Sequence, residues 1–146
     1  MALPPQKFRE IVFQILYSSD FPSPETEETA LMLMGELKVT KKAVLEANEK
    51  VNQIASHLVE IDEKITNYSM DYTFDRISRV EKTILRLAIF ELLFDPSLPP
   101  LVAIAEAIRM TRKFGTPESA HFVNAVLDRV YKNSLEMCIR DRIYKT

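Results

Sequence analysis

The stretch RVEKTILRLAIFEL, residues 79–92, decides the fold. Just before it, Ser78 and Glu81 have the spacing of a capping box, in which each side chain accepts a hydrogen bond from the other residue's backbone amide. Thr73 is an alternative cap for a turn that precedes this helix. The sequence therefore predicts a central helix that extends to about Phe94. Its apolar side chains recur at helical spacing: Val80, Ile84, Leu85, Leu87, Ala88 and Leu92.

Proline and glycine separate this helix from its neighbours. Pro4-Pro5 precedes the first apolar stripe, and Ser23-Pro24 begins a second helix. Gly115 suits a left-handed C-cap, and Thr116-Pro117-Glu118 then supplies the cap, first residue and acid of the last helix. The pattern over 40–68 is helical throughout, either as one helix or as two that break near Ser56-His57. We expect an all-α fold of six or seven helices.

Outside the central helix, the side chains expected to face the core follow the same helical spacing. Residues 134–146 follow no such stripe, and we expect a disordered tail or a non-native extension after a single domain over 1–133. The expected inward residues are Phe8, Ile11, Val12, Ile15, Leu16, Leu31, Leu33, Met34, Leu37, Val44, Leu45, Val51, Ile54, Ala55, Leu58, Ile61, Ile65, Ile104, Ile108, Phe114, Phe122, Val123, Val126, Leu127 and Val130.

Composition favours a cytoplasmic binding protein over an enzyme. The 146 residues include only two glycines, which argues against glycine-rich phosphate loops. Cys138 is the only cysteine, so no internal disulfide can form. Neither His57 nor His121 belongs to a recognisable metal-binding motif, and no catalytic motif is present. We expect no metal and no cofactor. No signal peptide or membrane-spanning run is visible.

Charge is uneven along the chain although its net value is only −2. Basic residues cluster from Arg76 to Arg86 and again from Arg109 to Lys113. The default interpretation of each cluster is a solvated helix face. A protein this close to neutral does not hold nucleic acid tightly by counterion release alone. If it binds RNA, we expect weak affinity unless a partner assists.

Three segments, in this order and at these spacings, resemble the NusB family. They are QILYS at 14–18, RVEKTILRLAIFEL at 79–92 and PPLVAIAEAIRMTRKFGTPESAHFVNAVLD at 99–128. The resemblance covers about residues 6–132. It implies a compact pair of small helical bundles, and a transcription antitermination factor that binds boxA-type single-stranded RNA with ribosomal protein NusE. Its function would be to promote read-through of ribosomal RNA operons. It would engage the transcribing RNA polymerase indirectly and would not bind a membrane.

The resemblance also implies roles for particular residues. The RNA-binding positions would be Gln6, Lys7, Arg9, Glu118, Phe122 and Asn124, and the positions that face NusE would be Tyr17 and Glu81. The arginine-rich start typical of the family is reduced here, which predicts fewer phosphate contacts. Glu118 is acidic and would restrain RNA binding.

Several alternatives stay open at this point. Phe122 is as well explained by core packing, since an aromatic residue at helical spacing is usually buried. Arg86 is a family position too, but a cation inside an apolar helix more often pairs with an internal carboxylate. The whole chain could be a helical scaffold that binds only proteins. It could also be related to the RNA-binding domain of ribosomal RNA cytosine methyltransferases, whose catalytic domain we do not find in this sequence.

Overall fold

Helices make up almost all of the described part of the chain. A computed structural model describes residues 4–18, 40–70 and 72–144, with side chains up to residue 135. No strand occurs in these ranges, which confirms the all-α prediction. The helix expected to begin at Ser23 lies outside the described residues. The helices are α1 (Pro5–Ser18), α2 (Lys41–Ser56), α3 (Leu58–Tyr68), α4 (Arg79–Phe94), α5 (Pro100–Phe114) and α6 (Pro117–Tyr144), and a 3₁₀ turn covers Phe74–Arg76.

The chain divides into two compact units after His57. In the first unit α1 packs against α2. The backbone amide of His57 donates to the Ile54 carbonyl at 3.0 Å and ends α2, so the helical pattern over 40–68 is two helices and not one. The core of this unit is formed by Ile11, Val12, Phe13, Ile15 and Leu16 of α1 and Ala43, Val44, Ala47, Val51 and Ile54 of α2.

The second unit is built around α4, which packs against α3, α5 and α6. All nine residues from Thr83 to Glu91 are buried, as expected for a helix surrounded by others. Among them is Arg86, whose Nε and Nη2 donate to the two carboxylate oxygens of Asp62 at 2.9 and 3.1 Å. This bidentate ion pair confirms that Arg86 has an internal structural role.

Two helix starts follow their sequence signals closely. The Ser78 hydroxyl accepts from the Glu81 amide at 3.2 Å, and the Glu81 carboxylate accepts from the Ser78 amide at 3.3 Å, which confirms the capping box. Thr73 precedes only the 3₁₀ turn. The Thr116 hydroxyl accepts from the Ser119 amide at 3.2 Å and caps α6.

Gly115 ends α5 in a way that differs from the prediction. Its φ is −118°, so the expected left-handed conformation is wrong. A Cβ at this position would lie 3.0 Å from the Thr111 carbonyl oxygen, which accepts the Gly115 amide at 2.8 Å. Glycine is therefore favoured here by space for a tight chain reversal and not by backbone conformation.

Some inward positions were predicted incorrectly. Leu45 is 54% exposed, and Ala55 is also exposed, whereas Ala43 and Ala47 are buried. Because small side chains let neighbouring helices approach closely, alanine takes contact positions that hydrophobicity alone would give to leucine. In α5 the same holds: Ala103, Ala107 and Met110 are buried, while Ile104, Ile108 and Phe114 are half-buried.

The last helix is longer than the sequence pattern predicts. The backbone of α6 remains helical to Tyr144 and does not end near residue 133. Leucine, methionine, glutamate and arginine in this stretch all favour helix, which explains how it continues without an apolar stripe. The domain limits 1–133 and the non-native origin of 134–146 stay predictions.

Candidate functional site

The start of α1 carries three of the expected RNA-binding residues, and they differ in accessibility. Gln6 is exposed and Lys7 is half-buried. Arg9 is only 8% exposed and already takes part in an interaction within the chain. A buried guanidinium is poorly placed to meet a phosphate. The accessible cation at this end of α1 is therefore Lys7.

Tyr17 and Glu81, the expected partner-facing residues, lie on different units. Tyr17 is near the end of α1, half-buried, with its ring stacked on that of Phe13 at a centroid distance of 6.0 Å. Glu81 is half-buried in the first turn of α4, where its Oε1 accepts the Ser78 amide. This capping bond orients the carboxylate and leaves Oε2 to other donors.

The first turns of α6 bring Glu118, Phe122 and Asn124 onto one short segment. Glu118 and Asn124 are exposed, and Phe122 is half-buried. The Phe122 ring meets the ring of Tyr72 edge to face, with centroids 5.4 Å apart and an interplanar angle of 80°. Because Tyr72 is 52% exposed, this pair forms an aromatic surface at the edge of the second unit. Core packing therefore accounts for only part of the environment of the Phe122 side chain.

Tyr72 was missed by sequence reasoning. It lies in the connection between α3 and the 3₁₀ turn, where the Ser69 hydroxyl donates to the Tyr72 carbonyl at 3.1 Å. The Arg129 guanidinium on α6 donates to the Tyr68 carbonyl at 2.8 Å and ties the end of α3 to α6. These two bonds hold the connection where its tyrosine meets Phe122. The sequence pattern gave no indication of that contact.

The two basic clusters are only partly solvated helix faces. In the first, the Lys82 ammonium lies 4.4 Å from the centroid of the Phe74 ring, a cation–π contact. Arg76 is exposed on the 3₁₀ turn. In the second cluster, Arg109 donates to Glu106 at 2.7 Å, whereas Arg112 is exposed. The accessible cations of the second unit therefore include Arg76 and Arg112.

The described residues offer little basis for metal chemistry or a membrane span. Within them, no three histidine, cysteine, aspartate or glutamate side chains are grouped so as to hold a metal ion. No helix in that part of the chain is long and apolar enough to cross a membrane. Around the start of α6 the surface presents the Tyr72–Phe122 rings, the Asn124 amide and the Arg112 cation, side-chain types that bind single-stranded nucleic acid, together with the Glu118 carboxylate.

Comparison with known proteins assigns the family. The model described as the NusB family matches residues 6–132. This chain belongs to the NusB family. A transcription antitermination protein NusB from Geobacter sp. (strain M21) is 40% identical over 130 residues, which span 84% of this chain and 90% of the relative. The family resemblance of the sequence is thereby confirmed, and with it the expectation of a protein that is not an enzyme.

Solved structures agree with this assignment. NusB from T. maritima matches with a TM-score of 0.77 and 34% identity, covering 90% of this chain and 93% of that one. A second match, with a TM-score of 0.74 and 28% identity, covers 88% of this chain and 96% of that one. It is the crystal structure of the antitermination factors NusB and NusE in complex with dsRNA. The helical fold is therefore that of the NusB family.

Proposed function

We propose that this chain is a transcription antitermination factor that binds boxA-type RNA together with ribosomal protein NusE. Read-through of ribosomal RNA operons by transcribing RNA polymerase would follow from that assembly. The protein would act in the cytoplasm. Family membership supports the proposal, as does the similarity to a NusB that forms a complex with NusE and double-stranded RNA. The net charge of −2 fits a factor whose RNA affinity depends on a protein partner.

The observation that carries RNA binding is the aromatic surface formed by Tyr72 and Phe122. Unstacked bases bind to exposed aromatic rings, and each such stack contributes about 1–3 kcal/mol. Asn124, exposed on a different face of the same helix, offers an amide that both donates and accepts hydrogen bonds, as base recognition requires. Glu118, also exposed, adds a negative charge that weakens phosphate binding and favours base contacts over backbone contacts.

The start of α1 would supply a second, weaker RNA contact. Lys7 is assigned to a phosphate, and Gln6 to a hydrogen bond with a sugar or base. Arg9 is assigned to RNA only through the family resemblance, and its burial favours an indirect part in which it supports α1.

NusE would bind through Tyr17 and Glu81. The tyrosine offers a partly exposed ring that is fixed by Phe13, and the glutamate offers a carboxylate that is fixed by the capping box. Side chains held in one conformation lose little entropy on binding, which favours them as interface contacts.

A fluorescence anisotropy titration tests the proposal directly. Labelled boxA RNA and a scrambled control are titrated with the full chain, with and without equimolar NusE. We expect selective binding of boxA RNA that strengthens when NusE is present. A folded sample that binds NusE normally but shows no selectivity for boxA RNA would instead establish a scaffold that binds only proteins.

A further inference from the structure

A groove opens on the surface of the second unit between α5 and the start of α6. It has a volume of about 650 Å³, within the range of pockets that hold small organic ligands. Ile108 and Ala120 are half-buried in it, and three exposed polar side chains surround them. The lining residues are Ile108, Arg112, Pro117, Ala120, His121 and Asn124.

The polar side chains of the groove come from both helices and suit the parts of a nucleotide. Arg112 on α5 has a planar guanidinium that can donate two parallel hydrogen bonds to a phosphate. The His121 imidazole offers a flat ring for a base and a nitrogen donor. The Asn124 amide matches the donor and acceptor pattern of a base edge.

The charge of the groove favours an anion. None of its six lining residues is acidic, and Arg112 is followed directly by the exposed Lys113. Arg109, one turn earlier on α5, is instead held by Glu106 at 2.7 Å. Of the cations near the end of α5, Arg112 is therefore the one that lines the groove, and the exposed Glu118 follows the lining residue Pro117.

We propose that this groove holds one nucleotide of the RNA strand, with its phosphate on Arg112 and its base against His121 and Asn124. The inference rests on the proposed RNA binding and adds Arg112 and His121 to the residues responsible for it. His121 and Phe122 are consecutive, so their side chains leave α6 about 100° apart. A strand that crosses α6 contacts the groove with one nucleotide and the Tyr72–Phe122 surface with another.

The test uses the full chain with saturating NusE and labelled boxA RNA, titrated by anisotropy over a series of salt concentrations. Arg112→Gln should weaken binding about fivefold to tenfold and reduce the slope of log Kd against log salt by about 0.7, the value for one single-strand phosphate contact. His121→Ala should weaken binding about threefold with little change in slope, because it removes a base contact.

The matched control is Lys132→Gln. Its side chain is 69% exposed on the same helix and pairs with Asp128, outside the groove lining. It should change RNA affinity by less than about twofold, since an exposed ion pair contributes little. Helicity by circular dichroism and NusE binding should be unchanged in all three variants.

A second measurement uses RNAs that carry a single abasic nucleotide at successive positions. At one position the abasic RNA should bind the unchanged protein about threefold more weakly, yet lose nothing further with His121→Ala. This coupling identifies the nucleotide in the groove.

The outcomes separate the two proposals. If the unchanged protein binds boxA RNA selectively, but Arg112→Gln and His121→Ala behave like Lys132→Gln, the groove assignment is wrong and RNA binding stands. The absence of a coupled position would likewise contradict the groove assignment. If the unchanged protein shows no selective RNA binding, the proposed function fails and the groove assignment fails with it.

Discussion

The start of α1 and the start of α6 both carry residues assigned to RNA, but they present them differently. On α1, Lys7 is half-buried and Arg9 is 8% exposed. On α6, Glu118, His121 and Asn124 are exposed, and Phe122 shares an aromatic surface with Tyr72. A cation in the sequence counts as a phosphate contact only if the fold leaves it accessible. We therefore expect RNA recognition to depend less on charged residues of the first unit and more on aromatic rings and amides of the second.

The largest effect expected is on the stability of the second unit. Asp62→Ala removes the carboxylate that accepts two hydrogen bonds from the buried Arg86, and we expect the free energy of unfolding to fall by about 2 kcal/mol. The value lies below that of a fully buried pair because the Asp62 side chain is 26% exposed. Urea denaturation followed by circular dichroism measures the change.

Asp128→Ala is the control for this measurement. Its partner Lys132 lies at 3.0 Å, but the two side chains are 50% and 69% exposed. We expect a loss below about 0.5 kcal/mol, as for other exposed pairs. Equal losses in the two variants would show that the Arg86–Asp62 pair does not support the α3–α4 packing.

Tyr72→Ala tests the aromatic surface of the second unit. Removing one stacking ring should weaken boxA RNA binding about fivefold to thirtyfold, measured by anisotropy in the presence of NusE. Tyr72→Phe keeps the ring and should bind within about twofold of the unchanged protein. If the Tyr72→Ala and Tyr72→Phe variants bind RNA equally well, the ring makes no base contact. The second unit would then lose the main reason for expecting it to recognise RNA.

Substitutions at Glu81 test whether the second unit also contributes to the NusE interface. Glu81→Lys should weaken NusE association on the order of tenfold, because it reverses a charge at the interface. Glu81→Gln keeps an oxygen that can accept the Ser78 amide, so it separates the loss of charge from the loss of the cap. Its effect should be about threefold. NusE pull-down that is unchanged with Glu81→Lys would remove this residue from the interface.

The smallest effect expected is at the start of α1. Lys7→Ala should weaken RNA binding about twofold to threefold and lower the salt slope by about 0.7. At unchanged helicity, adding Arg9→Ala should weaken RNA binding no further, since Arg9 is too buried to contact RNA directly. A clearly larger loss of RNA affinity in the double variant would show that Arg9 contacts RNA. The start of α1 would then be the more important of the two regions for RNA binding.

Helix limits could be predicted well because their signals are local. Proline at residue 5, the Ser78 capping box and the Thr116 cap all mark helix starts that the structure confirms. Each cap depends on atoms no more than four residues apart. The family resemblance rested on longer segments, and it too could be recognised from their order and spacing alone.

Accessibility of the candidate site could not be predicted in the same way. From the sequence alone, Arg9 and Lys7 were equal candidates for RNA binding, and nothing indicated a contact between Tyr72 and Phe122. The residue numbering alone does not show which side chains are buried. The sequence pattern also placed Ile108 in the core, although this residue is half-buried in the groove beside Arg112. Burial depends on which helix packs against a face and how closely, and periodicity carries no information on either.

The sequence by itself determined the helical class, the helix starts, the family and the positions to test for RNA and NusE. Only the tertiary structure decided which of those positions are accessible and which polar residues serve the fold. The physical reason is distance along the chain. Arg86 meets Asp62 across 24 residues, and Arg129 meets the Tyr68 carbonyl across 61. Such partners are chosen by the packing of α3, α4 and α6, which no local pattern specifies.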